Sequence, residues 1–244
     1  MDRDEYDRMA ALEEVMWWYR ALHDRLIARI VALGLGEQSR LLDAGCGTGG
    51  FLRCLHLASP RLQLFGLELD PAAAEWSRAK SGAVVVCGSV NKMTFPSDYF
   101  DAIVCADVLY HRGVDEEAAL REFLRCLKPG GSLLLNLPAY NWMKSSHDVH
   151  VHTVRRYTAR AVKRMMAAAG CQAVEVGYWN SLLFPVMAWW RLTVGRYRSS
   201  SDVQAFPPWL DRWFYAITAV EHTLAKRGLR LPFGGSVYAQ AVKP

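Results

Sequence analysis

Three glycines alternate with other residues directly after an acidic residue early in the chain. Residues 41–50 read LLDAGCGTGG, so an apolar pair leads into Asp43, and Gly45, Gly47 and Gly49 follow at every second position. Such a run is typical of a buried strand that turns sharply into a helix, because glycine accepts positive φ and lets a ligand approach the backbone. The spacing is not the G-x-G-x-x-G of nicotinamide-binding proteins. The run therefore predicts a binding site for a different ligand at the end of a strand.

A second acidic position follows about 20 residues after the glycines, as in other nucleotide-binding folds. Residues 62–67 predict a strand, and Pro71 occupies a favoured first position of a helix. Glu68, at the carboxyl end of this strand, could accept hydrogen bonds from both hydroxyls of a ribose. Asp70 is better placed to cap the helix than to bind a ligand. The two segments together indicate a cofactor that contains a nucleoside.

Four blocks in this order resemble the class I S-adenosylmethionine (SAM)-dependent methyltransferases, in particular the small-molecule, type 11-like members. Residues 43–49 match the D-x-G-x-G-x-G motif of that family. Residues 84–90 resemble its third strand, residues 96–104 its P-x-x-x-F-D-x-[IV] block, and residues 127–131 its L-K-P-G-G turn. The resemblance covers residues 38–140. It implies an α/β fold with a doubly wound, seven-stranded mixed sheet, the Rossmann-like methyltransferase fold.

The resemblance also implies SAM as the cofactor and assigns residues of this chain to it. The methionine half of SAM is expected at Asp43 and the glycine run, and the ribose at Glu68. The adenine is expected beside Ser89 and Val90, where the family often has an aspartate at the first of the two positions. The full set of expected cofactor-binding residues is Asp43, Gly45, Cys46, Gly47, Gly49, Glu68, Leu69, Ser89, Val90, Ala106 and Tyr19.

The segment that precedes the glycine run has helical periodicity. Apolar residues recur every three or four positions between Met9 and Leu33, and an aromatic cluster occupies residues 16–20. One interpretation is a helix that packs across the ligand edge of the sheet. The other is a lid in which Tyr19 or Arg20 closes over SAM and meets its carboxylate, since lids also exclude water from a reacting centre.

The segment after the fifth predicted strand carries candidates for proton transfer. His147, Asp148 and His152 resemble part of an H-D-x-x-x-H-x-R-R-Y segment of some bacterial methyltransferases. Histidine titrates near neutrality, so it could accept a proton from the methyl acceptor while the aspartate fixes its tautomer. Two alternatives stay open, namely a purely structural surface loop and a metal site that includes His150. His111, after the fourth strand, is either a second candidate base or a wall of the SAM site.

An insertion is predicted between the sixth and seventh strands, where usual members of the fold have a short hairpin. It spans residues 180–235 and contains two apolar helices, over residues 182–197 and 209–227. Its aromatic side chains could pack the added helices on the core or form an apolar acceptor pocket. A third interpretation is a membrane-facing or dimer surface, because arginine and lysine residues flank the apolar faces.

These elements divide the chain into four parts. Residues 1–36 are expected to form an N-terminal helical lid, and residues 37–179 the SAM-binding α/β core. Residues 180–235 are the helical insertion, a candidate cover for the acceptor. Residues 236–244 return to the core as its last strand, antiparallel between strands five and six.

Composition favours one elaborated domain and argues against several function classes. The 244 residues are 52% hydrophobic, enough for one sizeable core. The net charge of +5 forms no dense basic stripe, and residues 106–109 read ADVL in place of an N/D-P-P-Y motif, so no nucleic-acid substrate is expected. The six cysteines lack C-x-x-C spacing and are interpreted as core residues of a cytoplasmic protein. We expect no secretory leader and no membrane-spanning helix.

The sequence thus predicts a SAM-dependent methyltransferase that acts on a small-molecule acceptor. An oxygen atom of an apolar or glycosylated metabolite is the favoured nucleophile. Two alternatives stay open: methylation of a lipid-linked substrate at a membrane surface, and SAM binding without catalysis. A peripheral membrane contact and a homodimer are both compatible with the insertion.

Overall fold

The computed structural model describes residues 3–144, 152–193 and 206–244. The strands are β1 (Arg40–Ala44), β2 (Gln63–Glu68), β3 (Val84–Cys87), β4 (Phe100–Ala106), β5 (Leu127–Pro138), β6 (Gln172–Trp179) and β7 (Ser236–Val242). The α-helices are α1 (Arg3–Leu12), α2 (Trp17–Ala32), α3 (Gly50–Ala58), α4 (Pro71–Ser81), α5 (Glu116–Cys126), α6 (Ala159–Ala168), α7 (Phe184–Thr193) and α8 (Pro208–Lys226). A short 3₁₀ helix covers Asn141–Met143.

The strands form one sheet in the order β3-β2-β1-β4-β5-β7-β6. Strands β1 to β5 pair in parallel, whereas β7 pairs antiparallel with both β5 and β6. The predicted doubly wound mixed sheet, with its last strand antiparallel between strands five and six, is confirmed. Parallel strands need crossover connections, and the helices that supply them cover both faces of the sheet.

Two apolar cores lie against the sheet, one on each face. Leu41 and Leu42 are adjacent and fully buried, yet they belong to different cores. This follows from strand geometry, because successive side chains point to opposite faces. One core packs against α5 and α6, and the other against α2, α3 and α4. Burial on both faces explains why the central strands are almost continuously apolar.

The direction of winding reverses at β1, and this reversal places the ligand edge. β2 pairs with one side of β1 and β4 with the other. Open α/β sheets bind ligands in the crevice outside the carboxyl ends of the strands at such a switch point. The residues that follow β1 and β4, and the last residue of β2, therefore meet at one place. They include the glycine loop (residues 45–49), Glu68 and Asp107.

The N-terminal segment is not the single helix that the sequence predicts. Residues 13–16 separate α1 from α2, and α1 begins well before Met9. The Glu13 carboxylate accepts hydrogen bonds from the Thr48 hydroxyl (2.7 Å) and the Gly50 backbone N–H (3.0 Å). The chain turns at this point because Glu13 is bound to the start of α3. Apolar periodicity alone could not indicate such a contact.

Two helices lie between β6 and β7, close to the predicted bounds. The residues that join α7 to α8, 194–205, lie outside the described part of the chain. Among the helices that the structure describes, none combines the length and the apolar composition needed to cross a membrane.

Buried polar contacts fix α8 to α2 and to the end of β6. Asp211 accepts a hydrogen bond from the Trp17 backbone N–H (2.8 Å). Deeper in the interface, Glu221 accepts hydrogen bonds from the three backbone N–H groups of residues 180–182 and from Arg25 (3.1 Å). Glu221 is buried, so its carboxylate replaces water for four donors. This one side chain therefore joins the insertion to the N-terminal helices.

Replacing Glu221 by alanine should destabilise the fold. Arg25 and the backbone donors of residues 180–182 would stay buried without their acceptor, and breaking a buried ion pair costs about 3–5 kcal/mol. Urea unfolding followed by circular dichroism measures this loss in the free energy of unfolding. Glu117→Ala is the matched control, because Glu117 is exposed and pairs with Arg121 on the surface of α5. Equal losses in the two variants would contradict the role given to Glu221.

Candidate active site

A cavity of about 930 Å³ opens at the carboxyl edge of the sheet. Its lining includes the glycine loop and the ends of β2 and β4, and α1, α2, α7 and α8 complete the wall. Ligand pockets typically measure about 300–1,000 Å³. The cavity therefore has room for a nucleoside cofactor together with a second small molecule.

Two motif glycines shape the cavity wall. Gly45 and Gly47 have φ angles of +93° and +53°, a region that favours glycine. A Cβ atom on Gly45 would collide with Val108 in the segment after β4. A Cβ atom on Gly47 would lie 2.6 Å from Met9 Cε in α1. The glycines thus allow close contact with two other elements that line the cavity.

Glu68 is held in a fixed position at the end of β2. Its Oε2 accepts a hydrogen bond from the Gly47 N–H (2.9 Å), and its Oε1 accepts from the Asp70 N–H (3.0 Å) and the Tyr6 hydroxyl (2.9 Å). The Asp70 carboxylate caps α4 by accepting from the N–H groups of residues 72 and 73, both at 2.9 Å, so the predicted cap is confirmed. Glu68 is therefore the acid of the pair that faces the cavity.

Glu13 closes the N-terminal helices against the glycine loop. In addition to Thr48 and Gly50, its carboxylate pairs with Lys80 of α4. The N-terminus of α3 favours a negative charge, because its backbone N–H groups are not used within the helix. Tyr6 reaches the end of β2 from α1 in the same region. The contacts of Tyr6 and Glu13 thus hold α1 over the acidic part of the cavity.

Asp43, in β1, is a buried acid of the cavity wall. Its burial, with a further contribution from the negative charges of Glu68 and Glu13, raises its pKa to about 8. The raised pKa favours the protonated form of Asp43. A cation placed beside it would favour the ionised form and lower this pKa.

Asp107 directly follows β4 and is not among the residues expected from the sequence. Asn136 Nδ2 donates a hydrogen bond to Asp107 Oδ2 (2.7 Å), and Trp179 Nε1 donates to Asn136 Oδ1 (2.7 Å). The tryptophan thereby fixes the orientation of the amide, which in turn holds the carboxylate. Burial raises the pKa of Asp107 to about 7, although the Asn136 hydrogen bond and the positive charge of Arg156 oppose this rise. A cavity-lining carboxylate that titrates near neutrality is suited to accept a proton.

Two signals in the sequence point to Asp107. The acid directly follows an apolar strand, at the edge where ligands bind. Asn136 interrupts the apolar run of β5, and a buried amide requires hydrogen-bond partners. The parallel register places Asn136 beside Ala106, so its partner is expected next to the end of β4. The sequence also gives a weak signal for the contacts of the N-terminal helix. Its cavity-facing residues Tyr6, Met9 and Glu13 recur at helical spacing, but two of them are polar, so apolar periodicity does not indicate this face.

All but one of the expected cofactor-binding residues line the cavity. Those that do are Asp43, Gly45, Cys46, Gly47, Glu68, Leu69, Ser89, Val90, Ala106 and Tyr19. Gly49 does not. Its φ is +91°, and a Cβ atom there would lie 2.7 Å from Ser77 Cα, so this glycine lets α3 pack closely on α4. Burial, assisted by the charge of Glu13, raises the pKa of the Tyr19 hydroxyl.

The expected catalytic residues are only partly within the described structure. His111 and His152 both line the cavity. The segments that carry them are joined through the backbone, since the Arg112 N–H donates to the His152 carbonyl (3.1 Å). His147 and Asp148 lie outside the described residues. Across residues 3–144, 152–193 and 206–244, no group of three histidine, cysteine or acidic side chains could hold a metal ion.

Another part of the cavity wall is apolar. Four side chains form one apolar cluster. They are Trp17 of α2, Leu183 just before α7, Met187 of α7 and Phe214 of α8. Trp17 and Phe214 are in edge contact, with ring centroids 5.4 Å apart. All four side chains line the cavity. A ligand that spans the cavity would therefore meet carboxylates in one part and aromatic and aliphatic groups in another.

The acidic part of the cavity fits SAM. The sulfonium and ammonium groups of SAM are both positive, and Asp43, Glu68 and Asp107 supply carboxyl groups opposite in charge when ionised. Asp43, which is buried, and Asp107, which is half-buried, have raised pKa values that a bound cation would lower. Glu68, at the end of the second strand, also occupies the place at which acids bind ribose in related α/β folds.

Comparison with known proteins identifies the same family. A family profile described as "Methyltransferase domain" matches residues 42–135. A malonyl-[acyl-carrier protein] O-methyltransferase from Legionella pneumophila is 30% identical over 135 residues, covering 54% of this chain and 45% of the relative. A 24-methylenesterol C-methyltransferase 2 from Oryza sativa is 28% identical over 196 residues, which cover 72% of this chain and 52% of the relative. The chain thus spans about half the length of these curated relatives.

A solved structure with the same fold contains a bound product of SAM. The geranyl diphosphate C-methyltransferase of Streptomyces coelicolor, in complex with geranyl diphosphate and S-adenosyl-L-homocysteine, aligns with a TM-score of 0.59 at 17% identity. The alignment covers 91% of this chain and 81% of that one. The profile match begins within β1 and ends within β5, so it coincides with the strands that form the acidic part of the cavity. Motif, sheet order and family profile thus agree that residues 42–135 form a methyltransferase domain, and that its fold is the one of the class I SAM-dependent methyltransferases.

Proposed function

We propose that this chain transfers the methyl group of SAM to an oxygen atom of an apolar small molecule. The observation that carries the proposal is one continuous cavity, in which buried carboxyl groups line one part and apolar side chains of α2, α7 and α8 line another. The cationic cofactor would occupy the first part and the acceptor the second. Relatives named for a sterol and for geranyl diphosphate support a lipophilic acceptor.

The edge of the sheet would hold the cofactor, which supplies a methyl group already activated on a sulfonium. Asp43 and the glycine loop would meet its methionine half. Glu68 would accept hydrogen bonds from the ribose, in a position that two backbone N–H groups already fix. Ser89 and Val90 would border the adenine. Gly49 would contribute by the packing of α3 rather than by contact with the cofactor.

Asp107 would accept the proton of the acceptor. SAM would supply the methyl group, so that an O–CH₃ bond forms as the S–CH₃ bond breaks and S-adenosylhomocysteine leaves. Asp107 would take the proton of the acceptor's O–H bond and pass it to solvent after product release. Val108, the next residue, contacts Gly45, so Asp107 lies beside the expected position of the methionine half. Asn136 keeps the carboxylate oriented. His111 and His152 are the competing bases, because both line the cavity.

The outer helices would form the cover of this site. Residues 1–36 would act as the lid, held by the contacts of Tyr6 and Glu13, and residues 180–235 would cover the acceptor. A cytoplasmic location accords with six cysteines that are all free. A lipid-linked substrate at a membrane surface is the second candidate, favoured by exposed tryptophans on α7 and α8. SAM binding without catalysis is the third.

Incubation with methyl-labelled SAM and an organic extract of metabolites should yield a labelled, organic-soluble product. S-adenosylhomocysteine should form in equal amount, and mass spectrometry of the product identifies the methylated atom. SAM binding without formation of S-adenosylhomocysteine would favour a non-catalytic role.

Glu68→Gln should weaken SAM binding by about 1–3 kcal/mol, the scale for hydrogen bonds to charged groups. Glu75→Gln, an exposed change on α4, is the calorimetric control and should leave affinity unchanged.

Binding of SAM at pH 7 should release protons. The pKa values of Asp43 and Asp107 are raised to about 8 and about 7, and a bound cation favours their ionised forms. Affinity for SAM should therefore rise with pH from about 6 to about 8, by up to about tenfold per unit for each proton released. Calorimetry in buffers of different ionisation enthalpy counts the protons. The Asp43→Asn variant should release fewer protons when it binds SAM. The wild-type protein should also release fewer protons when it binds S-adenosylhomocysteine, which lacks the sulfonium charge. An affinity for SAM that does not change with pH would contradict the coupling.

Asp107→Asn should lower kcat by about 10²–10⁴-fold, the usual contribution of a positioned base. The base must be ionised, so wild-type kcat/KM for SAM should fall as pH drops below about 7, the pKa of Asp107 without cofactor, and the variant should lose this acid limb. His111→Ala and His152→Ala are the comparison variants. If only one of these histidine variants reproduces the loss of rate and of the acid limb, that histidine is the base and Asp107 is not.

A further inference from the structure

The outward face of α8 carries tryptophan and arginine but no acidic side chain. Trp209 and Trp213 are each 65% exposed, and Arg212 between them is exposed. The helix contains only two acids, Asp211 and Glu221, and both face α2. The acids thus pair within the protein, and the face left to solvent is apolar and basic.

The described part of α7 adds to this surface. It contains no acidic residue, and its Trp189 and Trp190 are 62% and 40% exposed. A tryptophan side chain carries about 150–250 Å² of surface, so four at these exposures present several hundred Å² of aromatic area. An exposed apolar area of this extent often marks an interaction site.

Two of the four exposed tryptophans also line the cavity. Trp189 and Trp190 line its wall, as does Leu210, which lies on α8 next to Trp209. Trp189 and Trp190 are thus side chains that solvent reaches and that also line the cavity. A lipophilic molecule that reached this surface could enter the cavity without passing through bulk water.

The charge of the surface decides between two occupants. Lys226 and Arg227, at the end of α8, are exposed, as is Arg212 near its start. A symmetric dimer through this face would bring the same cations of both copies together, because a two-fold interface uses one patch twice. An anionic membrane surface is complementary instead, and tryptophan is favoured at membrane interfaces.

We propose that the outer surface of α7 and α8 docks on anionic membranes, with Trp189, Trp190, Trp209 and Trp213 inserted at the level of the headgroups. Docking places the cavity entrance at the lipid boundary, so a membrane-dissolved acceptor reaches the site directly. This last step rests on the proposed function, whereas docking itself does not. Binding of this kind lies in the interface plane and requires no helix that crosses the bilayer.

Vesicle co-sedimentation of the full chain tests the proposal. The protein should bind vesicles of phosphatidylcholine with phosphatidylglycerol, bind less to phosphatidylcholine alone, and dissociate as salt is added. The double variant Trp209→Ser with Trp213→Ser should lose at least about tenfold of the partition coefficient, and Arg212→Glu about tenfold. Leu57→Ser and Arg121→Glu, exposed changes on α3 and α5, are the matched controls and should bind as wild type.

Three results would overturn docking through this surface. The first is no binding to anionic vesicles. The second is binding that the α8 variants leave unchanged. The third is a dimer in sedimentation equilibrium that the double tryptophan variant dissociates, without any vesicle binding. SAM affinity, measured by calorimetry in each variant, separates these outcomes from failure of the cofactor site, because the four tryptophans lie outside the acidic part of the cavity.

Discussion

The concentration of carboxyl groups at one edge of the sheet is the constraint on which the rest of the site depends. Asp43, Glu68 and Asp107 come from three strands that the winding of the sheet brings together. Like charges in a buried site repel and are poorly solvated, so each must find a donor, keep a proton or meet a cation. The surrounding structure supplies a different solution for each acid.

Glu68 and Glu13 are held by hydrogen-bond donors, whereas burial raises the pKa values of Asp43 and Asp107. Backbone N–H groups bind Glu68, and the first turn of α3 with Lys80 binds Glu13. Asp43 instead has a pKa of about 8 and Asp107 one of about 7. A bound cation would therefore lower the pKa values of Asp43 and Asp107 and release their protons. A cofactor with a sulfonium and an ammonium group meets that condition, whereas a neutral or anionic ligand would not.

The frame of the site was accessible from the sequence because glycines, strand patterns and caps are local signals. The motif run, the antiparallel β7 and the cap at Asp70 all follow from spacing and residue type, and the structure confirms them. The break between α1 and α2 was not accessible, since it depends on a contact between Glu13 and α3, which is distant in sequence. Asp107 differs from this break, because Asn136 in the apolar run of β5 indicates a buried polar partner, although only the pairing of β5 with β4 shows which residue it is. The roles of His147 and Asp148 stay predictions.

Proton transfer and access for an apolar acceptor depend on the same exclusion of water. The helices that cover the sheet edge bury Asp107, and burial is the largest cause of its raised pKa. Trp179 serves both purposes, since it orients Asn136 beside Asp107 and packs against Trp18 of α2 with ring centroids 6.2 Å apart. If the cover opened fully to water, the pKa of Asp107 would fall toward its ordinary value and the carboxylate would become a weaker base. An entrance that faces lipid rather than water would admit an apolar acceptor while the site stays dry. The exposed tryptophans and Asp107 are therefore compatible parts of the proposed arrangement, in which the outer surface would determine how the acceptor arrives and the inner surface how its proton would leave.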